Sequence, residues 1–314
     1  MPSFSMNLRV YPCVRDEGSR EKISVMQSLW ILLATFATTC GFVLTKTVDP
    51  AVAFFDILLV RSTFMLAVAG GLAYWNGMSI GTKHPLLHLI RAAAGFTALS
   101  INIVVVRHLP LAVSQTLIFM APLFVTGYAI GRGLWQGRRP DWKLALTVVV
   151  GFGGVLLVYR PASGLGMGFY ALLAVFSAMM TAVTGLVLKQ MGRLGEPVVR
   201  TVFLFSLAGV VLSGIAVMLF SMQNLADLFC NPILLAIGLT SAVAHLAQAQ
   251  GWGKGKPLLC ACLQFSPIPF AALADAVFFD CFPGTLSLVG IAVIALSELS
   301  GVLLVRREGE ARSN

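Results

Sequence analysis

The 314-residue chain is 58% hydrophobic and only 11% charged, with a mean hydropathy of +0.88. Soluble domains carry about 25% charged residues, so this composition excludes an ordinary soluble enzyme. The net charge of +9 lies in short segments between apolar runs and not in one basic patch, which excludes a nucleic-acid partner and points to membrane topology.

Residues 1–24 form a polar tail of mixed charge. It lacks a small-residue cleavage site after a short apolar core, so the first apolar run is expected to stay in the membrane. Ten helices are then predicted, at about 25–46, 51–74, 85–106, 110–131, 141–159, 166–188, 198–220, 231–251, 257–279 and 284–305. Prolines 50, 85, 110, 140, 161, 197, 232, 257 and 283 mark the gaps. The runs do not alternate with period two, so helices fit and barrel strands do not. A C-terminal tail, 306–314, closes the chain. The fold class is therefore an all-α integral membrane protein.

Basic residues set the orientation. With a cytoplasmic N-terminus, 18 of the 22 Lys and Arg fall on the cytoplasmic side, among them Lys83 and Arg91 around the second gap. The other side holds Lys46, Arg107 and Arg160, and Arg61 lies within a span. Both termini are predicted cytoplasmic, in a bacterial inner membrane.

The six cysteines read as small apolar residues; Cys260-x-Cys262 has no second pair at zinc spacing. Trp30, Trp75, Trp135, Trp142 and Trp252 lie near span ends and predict an interfacial belt. Gly127-x-x-x-Gly131 and the cluster Gly151, Gly153, Gly154 predict close helix contacts. Residues 251–257, Gly-Trp-Gly-Lys-Gly-Lys-Pro, read as a flexible basic loop, since they lack the spacing of a phosphate-binding motif.

The two halves, 25–160 and 161–305, overlay on each other. Pro110 falls on Pro257, Pro122 on Pro269, Arg107 on Lys254 and Gly154 on Gly301. Nearer the start of each half, Lys46 corresponds to Lys189 and Asp49-Pro50 to Glu196-Pro197. Five spans is an odd number, so the second half enters the membrane from the opposite side: two inverted five-helix repeats. This duplication, with Arg-His-Leu-Pro-Leu-Ala (107–112), Ala-Pro-Leu-Phe (121–124) and Gly-Phe-Gly-Gly-Val-Leu-Leu-Val-Tyr-Arg-Pro (151–161), resembles the EamA branch of the drug/metabolite transporter superfamily over about 25–305. The resemblance implies ten helices around a central cavity and transport of a small metabolite or drug. Family members usually carry a Glu after the fourth helix of a repeat; this chain has Gly131-Arg132-Gly133 in one half and Asp280 in the other.

Polar groups inside spans each cost about 2.5–3.5 kcal/mol when charged and ask for a reason. Asp56 and Arg61 share the second span. They either pair with each other or leave Arg61 free to hold an anionic group in the cavity. His245, Asp275 and Glu298 are candidates to carry a coupling proton. The amides Asn102, Gln115, Gln248, Gln250 and Gln264 are expected to turn inward, away from lipid.

The expected function is a secondary carrier of a small amino-acid-like, zwitterionic or amphipathic metabolite; S-adenosylmethionine enters through the family resemblance. A channel or a membrane scaffold is the alternative, and an intramembrane enzyme a weaker one, because no His-Glu-x-x-His or Gly-x-Ser-x-Gly motif is present. No catalytic residue, cofactor or metal site is expected. The expected partners are the substrate and the lipid bilayer, with a homodimer left open.

Overall fold

The computed structural model describes residues 25–109, 111–118, 120–137, 142–158, 167–221, 224–278 and 284–313. The tail 1–24, Arg138, Arg139, Arg160 and Asp280 lie outside the described residues, as do the prolines 110, 140, 161 and 283. The side chains of Asp275 and Glu298 are also outside what is described.

The described residues fold as helices joined by short turns. In chain order these are α1 (Trp30–Thr47), α2 (Phe54–Trp75), α3 (Pro85–His108), α4 (Leu111–Ile118), α5 (Ala121–Trp135), α6 (Trp142–Val158) and α7 (Met167–Arg193). They continue as α8 (Val198–Phe220), α9 (Leu225–Cys230), α10 (Pro232–Lys254), α11 (Pro257–Leu263), α12 (Pro267–Phe278) and α13 (Thr285–Ser313). Seven helical segments are long and apolar enough to cross a bilayer: α1 with its preceding turn, α2, α3, α7, α8, α10 and Leu259–Phe278. The chain is thus a multi-pass all-helical membrane protein. Large apolar side chains face outward, such as Leu212, Ile215 and Leu219 on α8 and Leu296 and Leu299 on α13, as a lipid-facing surface requires.

Two predicted spans are not continuous helices. The run at 110–131 divides into α4 and α5, and the run at 257–279 into α11 and α12. The cause is the same in both. Proline has no N–H, and its ring clashes with the carbonyl four residues earlier. Pro122 acts on Ile118, the last residue of α4, and Pro267 acts on Leu263, the last residue of α11. The apolar composition runs through both breaks, which is why hydropathy alone passes over them.

Four lengthwise pairings hold the bundle together: α1 with α10, α2 with α8, α3 with α7, and α6 with α13. Small residues set several contacts. A side-chain carbon added at Gly154 would come within 2.8 Å of the Gly290 carbonyl, and one at Gly151 within 2.9 Å of Phe265 and Ser297. The expectation for Gly127 and Gly131 fails: both face open space, as does Gly153.

Trp252 also departs from expectation. It is 1% exposed, packed over Gly185, whereas Trp30, Trp75, Trp135 and Trp142 are exposed and fit an interfacial belt. The predicted loop at 251–257 is helical through Lys254, and both Gly251 and Trp252 are buried in it. Gly251 admits Trp252's turn against α1 because a side-chain carbon there would meet Ile31 at 2.6 Å. Cys260 and Cys262 are buried thiols, in keeping with their reading as small apolar residues.

Candidate functional site

A central cavity lies among α1, α2, α3, α7, α8 and α10, and touches the ends of α4 and α11 at Ile118 and Gln264. Its empty space, including the part open to solvent, is about 950 Å³. The α1 wall is a helical stripe, Ile31, Thr35, Thr38, Phe42 and Thr45, with spacings of three and four that place them on one face. Its threonines bond to their own helix: Thr38 Oγ1 donates to the Ala34 carbonyl at 2.7 Å and Thr45 Oγ1 to Gly41 at 2.7 Å. Thr35 reaches across to Ser266, in the break between α11 and α12, at 3.0 Å.

The α2 and α3 walls carry charge, and the α10 wall a histidine. Arg61 on α2 is 7% exposed and its Nη2 donates to His245 Nε2 on α10 at 3.2 Å. A guanidinium offers only donors, so Nε2 must be the unprotonated nitrogen of a neutral imidazole. The His245 ring lies 5.1 Å from the ring of Phe205 on α8. The Arg91 guanidinium lies over that same ring, 4.3 Å from its centroid, and Nη1 donates to the Thr201 carbonyl at 3.0 Å. Gly95, one turn along α3, leaves room for Phe205: a side-chain carbon there would lie 2.7 Å from the ring.

Of the sequence candidates, Arg61, Asn102, His245, Gln248 and Gln264 line this cavity. Asn102 accepts a hydrogen bond from Ser177 of α7. Asp56 does not pair with Arg61; its Oδ2 accepts from the Ala53 backbone N–H at 3.0 Å and caps α2. Gln115 is fully buried on α4, with both amide atoms unpartnered, and is not among the cavity-lining residues. Gln250 faces away and donates to Gln27 at 2.7 Å.

Arg91 was missed. Counted as a charge around the second gap, it is instead 1% exposed on α3 and lines the cavity. The signal was present: it sits six residues inside a predicted span, where the standard applied to Arg61 marks it equally.

Further along α7 from Thr184, and along α10 from Gln248, the two helices close on each other. A side-chain carbon at Gly192 of α7 would run into the Gly253 backbone of α10, so the two helices meet backbone to backbone there. Lys189 Nζ donates to the Gly255 carbonyl, and the Lys256 N–H to Ser28 Oγ at 3.0 Å. Beside this contact lies a polar cluster. The helix α7 stops at Gly195, whose φ of +74° lets the chain reverse while the Glu196 N–H bonds back to the Met191 carbonyl at 3.0 Å. This aims Glu196 at Thr82, whose hydroxyl donates at 2.6 Å, and at Arg200, whose Nη1 donates at 3.0 Å. His88 Nε2 stands 3.9 Å away. Burial works against the Glu196 carboxylate, but the hydrogen bonds from Thr82 and Arg200 and the adjoining positive charge outweigh it and hold its acid below the ordinary glutamate value.

The chain is similar to known transporters. A riboflavin transporter of Rhizobium johnstonii is 24% identical over 280 residues, 88% of this chain and 90% of that one. A pseudopaline exporter of Pseudomonas aeruginosa is 25% identical over 275 residues, 86% of this chain and 95% of that one. A solved crystal structure superposes with a TM-score of 0.72 at 18% identity, covering 91% of this chain and 98% of its own. No protein-family model matches the chain. With transporters matched along most of its length, this multi-pass chain is a membrane transporter, and the resemblance to EamA-type members of the drug/metabolite transporter superfamily holds.

Proposed function

We propose that the chain is a secondary carrier that moves a small amphipathic, amino-acid-like metabolite across a bacterial inner membrane by alternating access. The observation that carries this reading is the central cavity, which is walled by both halves of the chain and lined by buried polar groups. The backbone contact of α7 with α10 at Gly192 and Gly253 supports a carrier over an open channel.

Ten spans in two inverted repeats, 25–160 and 161–305, complete the reading. Exchanging the halves turns the α1–α10 pair into α7–α3 and leaves α2–α8 and α6–α13 paired as before, which supports the duplication. The proline breaks at 118 and 263 stand at nearly corresponding places and support it too. The basic residues support cytoplasmic termini, and on that orientation the Gly192–Gly253 contact lies towards the cytoplasmic side. The cavity is built within one copy, so a homodimer is not needed for it. Relatives named for riboflavin and pseudopaline support a small-molecule substrate. S-adenosylmethionine belongs to the class considered, and His245, Asp275 and Glu298 are the residues through which proton coupling would run.

Counterflow in proteoliposomes tests this. Saturable exchange of labelled amino acids, nucleosides or S-adenosylmethionine, screened with and without a pH gradient, is expected. Conductance that does not saturate, with single-channel currents, would replace the carrier by a channel; no flux across a broad panel would leave a scaffold.

A further inference from the structure

The cavity holds two buried guanidiniums and, among its described lining residues, no Asp or Glu. The ion pairs of Glu196 with His88 and Arg200 lie near the Gly192–Gly253 contact and outside this cavity. Asp56, the acid nearest to Arg61 along α2, caps that helix through Oδ2, keeps its buried Oδ1 unpartnered, and is not among the cavity-lining residues. Arg61 Nε and Arg91 Nε have no hydrogen-bond partner, and neither has His245 Nδ1, the nitrogen that carries the proton in the neutral ring.

Removing a cation from water costs several kcal/mol unless an opposite charge and hydrogen bonds replace the lost solvation. Arg91 recovers part of this from the face of Phe205, and Arg61 recovers less, from a single neutral nitrogen. The contacts form one arc: Arg61 to His245, His245 to Phe205, Phe205 to Arg91. Every unpartnered polar atom on that arc is a donor nitrogen, while the unpartnered acceptor of the lining, Gln264 Oε1, is an uncharged amide oxygen. The α1 wall is apolar or self-satisfied, at Ile31, Ala34, Phe42 and the threonines Thr38 and Thr45.

We infer that this arc is an organic-anion site. Resting on the carrier reading, it assigns the substrate an acidic group, a carboxylate or a phosphate, held between Arg61 and Arg91, with an apolar body lying against α1. The planar guanidinium fork matches the paired oxygens of either acid. A net cation finds no counter-charge among the described lining residues, so this narrows the amphipathic class to its acidic members and disfavours S-adenosylmethionine.

The test uses five probes that share a phenyl body: phenylacetate, phenyl phosphate, phenylalanine, 2-phenylethanol and phenethylammonium. Thermal unfolding of the purified full-length protein is followed against each, and again in Arg61→Gln, Arg91→Gln and Arg61→Lys. The anions are expected to raise the midpoint at the lowest concentrations, and each Gln variant to weaken them by about tenfold or more while Arg61→Lys loses less. The order of phenylacetate and phenyl phosphate tells which acid fits. Phenethylammonium or 2-phenylethanol binding as tightly as the anions would overturn the inference. So would anions that leave the midpoint unmoved, or whose effect survives both Gln variants. Should Arg91→Gln fail to fold, Arg61→Gln decides alone. The readout is binding without flux: anion binding with no counterflow sinks the carrier and keeps the site, and counterflow of cations alone does the reverse.

Discussion

Arg91 and Phe205 hold each other in place across two helices. The guanidinium of α3 covers one ring of α8 at 4.3 Å, and the absent side chain of Gly95 lets that ring approach. Phe205→Leu removes the cation–π contact, worth about 1–2 kcal/mol when desolvated, and leaves the Arg91 bond to Thr201 intact. The expected outcome is a lower unfolding midpoint and weaker phenylacetate binding. Gly95→Ala drives a methyl into the ring and is expected to give the same loss by displacing Phe205; a variant with wild-type midpoint and binding would show that the ring is not held.

His245 serves Arg61 as an acceptor. His245→Phe keeps the ring beside Phe205 but leaves Arg61 Nη2 without its partner. The expected loss is about 1–3 kcal/mol of stability, read from denaturant unfolding. His245→Gln offers a carbonyl oxygen in its place and is expected to lose less. Equal losses in the two variants would show that packing, and not the acceptor, is what His245 provides.

Gly192 and Gly253 bring α7 and α10 together backbone to backbone. Gly192→Ala overpacks that contact, with an expected cost of about 1–3 kcal/mol to this arrangement. Gln248→Cys, on the cavity wall and in a background without other cysteines, should then react faster with an impermeant maleimide than it does beside Gly192. Unchanged labelling would mean that this contact does not close the cavity.

Glu196 ties the α2–α3 connection to the start of α8 through Thr82 and Arg200. Its acid is held below the ordinary value of 4.5. A lowered value means that the folded form favours the charged carboxylate. Its stabilisation is therefore complete above about pH 4.5 and is lost as the pH falls through the lowered value. Between pH 7 and pH 3.5 the unfolding midpoint of the parent protein should drop further than that of Glu196→Gln, which is already weakened at pH 7. Parallel drops would assign the acid sensitivity to other groups.

Much of the helical layout was legible because bilayer thickness imposes a length that few soluble helices match. The breaks in the fourth and ninth runs were legible as well, though not from hydropathy: Pro122 and Pro267 each end a helix four residues earlier. Trp252 carried no such mark. Its burial depends on Gly185 of α7 and Ile31 of α1, which are far away in sequence. The same holds for the site. That Arg61 and His245 are buried follows from their position within spans; that they bond to each other follows only from α2 and α10 packing together. Asp56 misled because an acid in the first turn of a helix has a local use, capping, that spacing to Arg61 does not reveal.

The α6–α13 seam is close-packed: Gly154 lies against the Gly290 backbone and Ser297 donates to the Thr147 carbonyl, yet none of the described residues of either helix lines the cavity. The halves of the chain are therefore joined by a contact outside the described lining. On the carrier reading, sequence changes along 147–154 and 290–297 have a route to the turnover number that leaves affinity alone, so carriers with the same cavity can differ in speed.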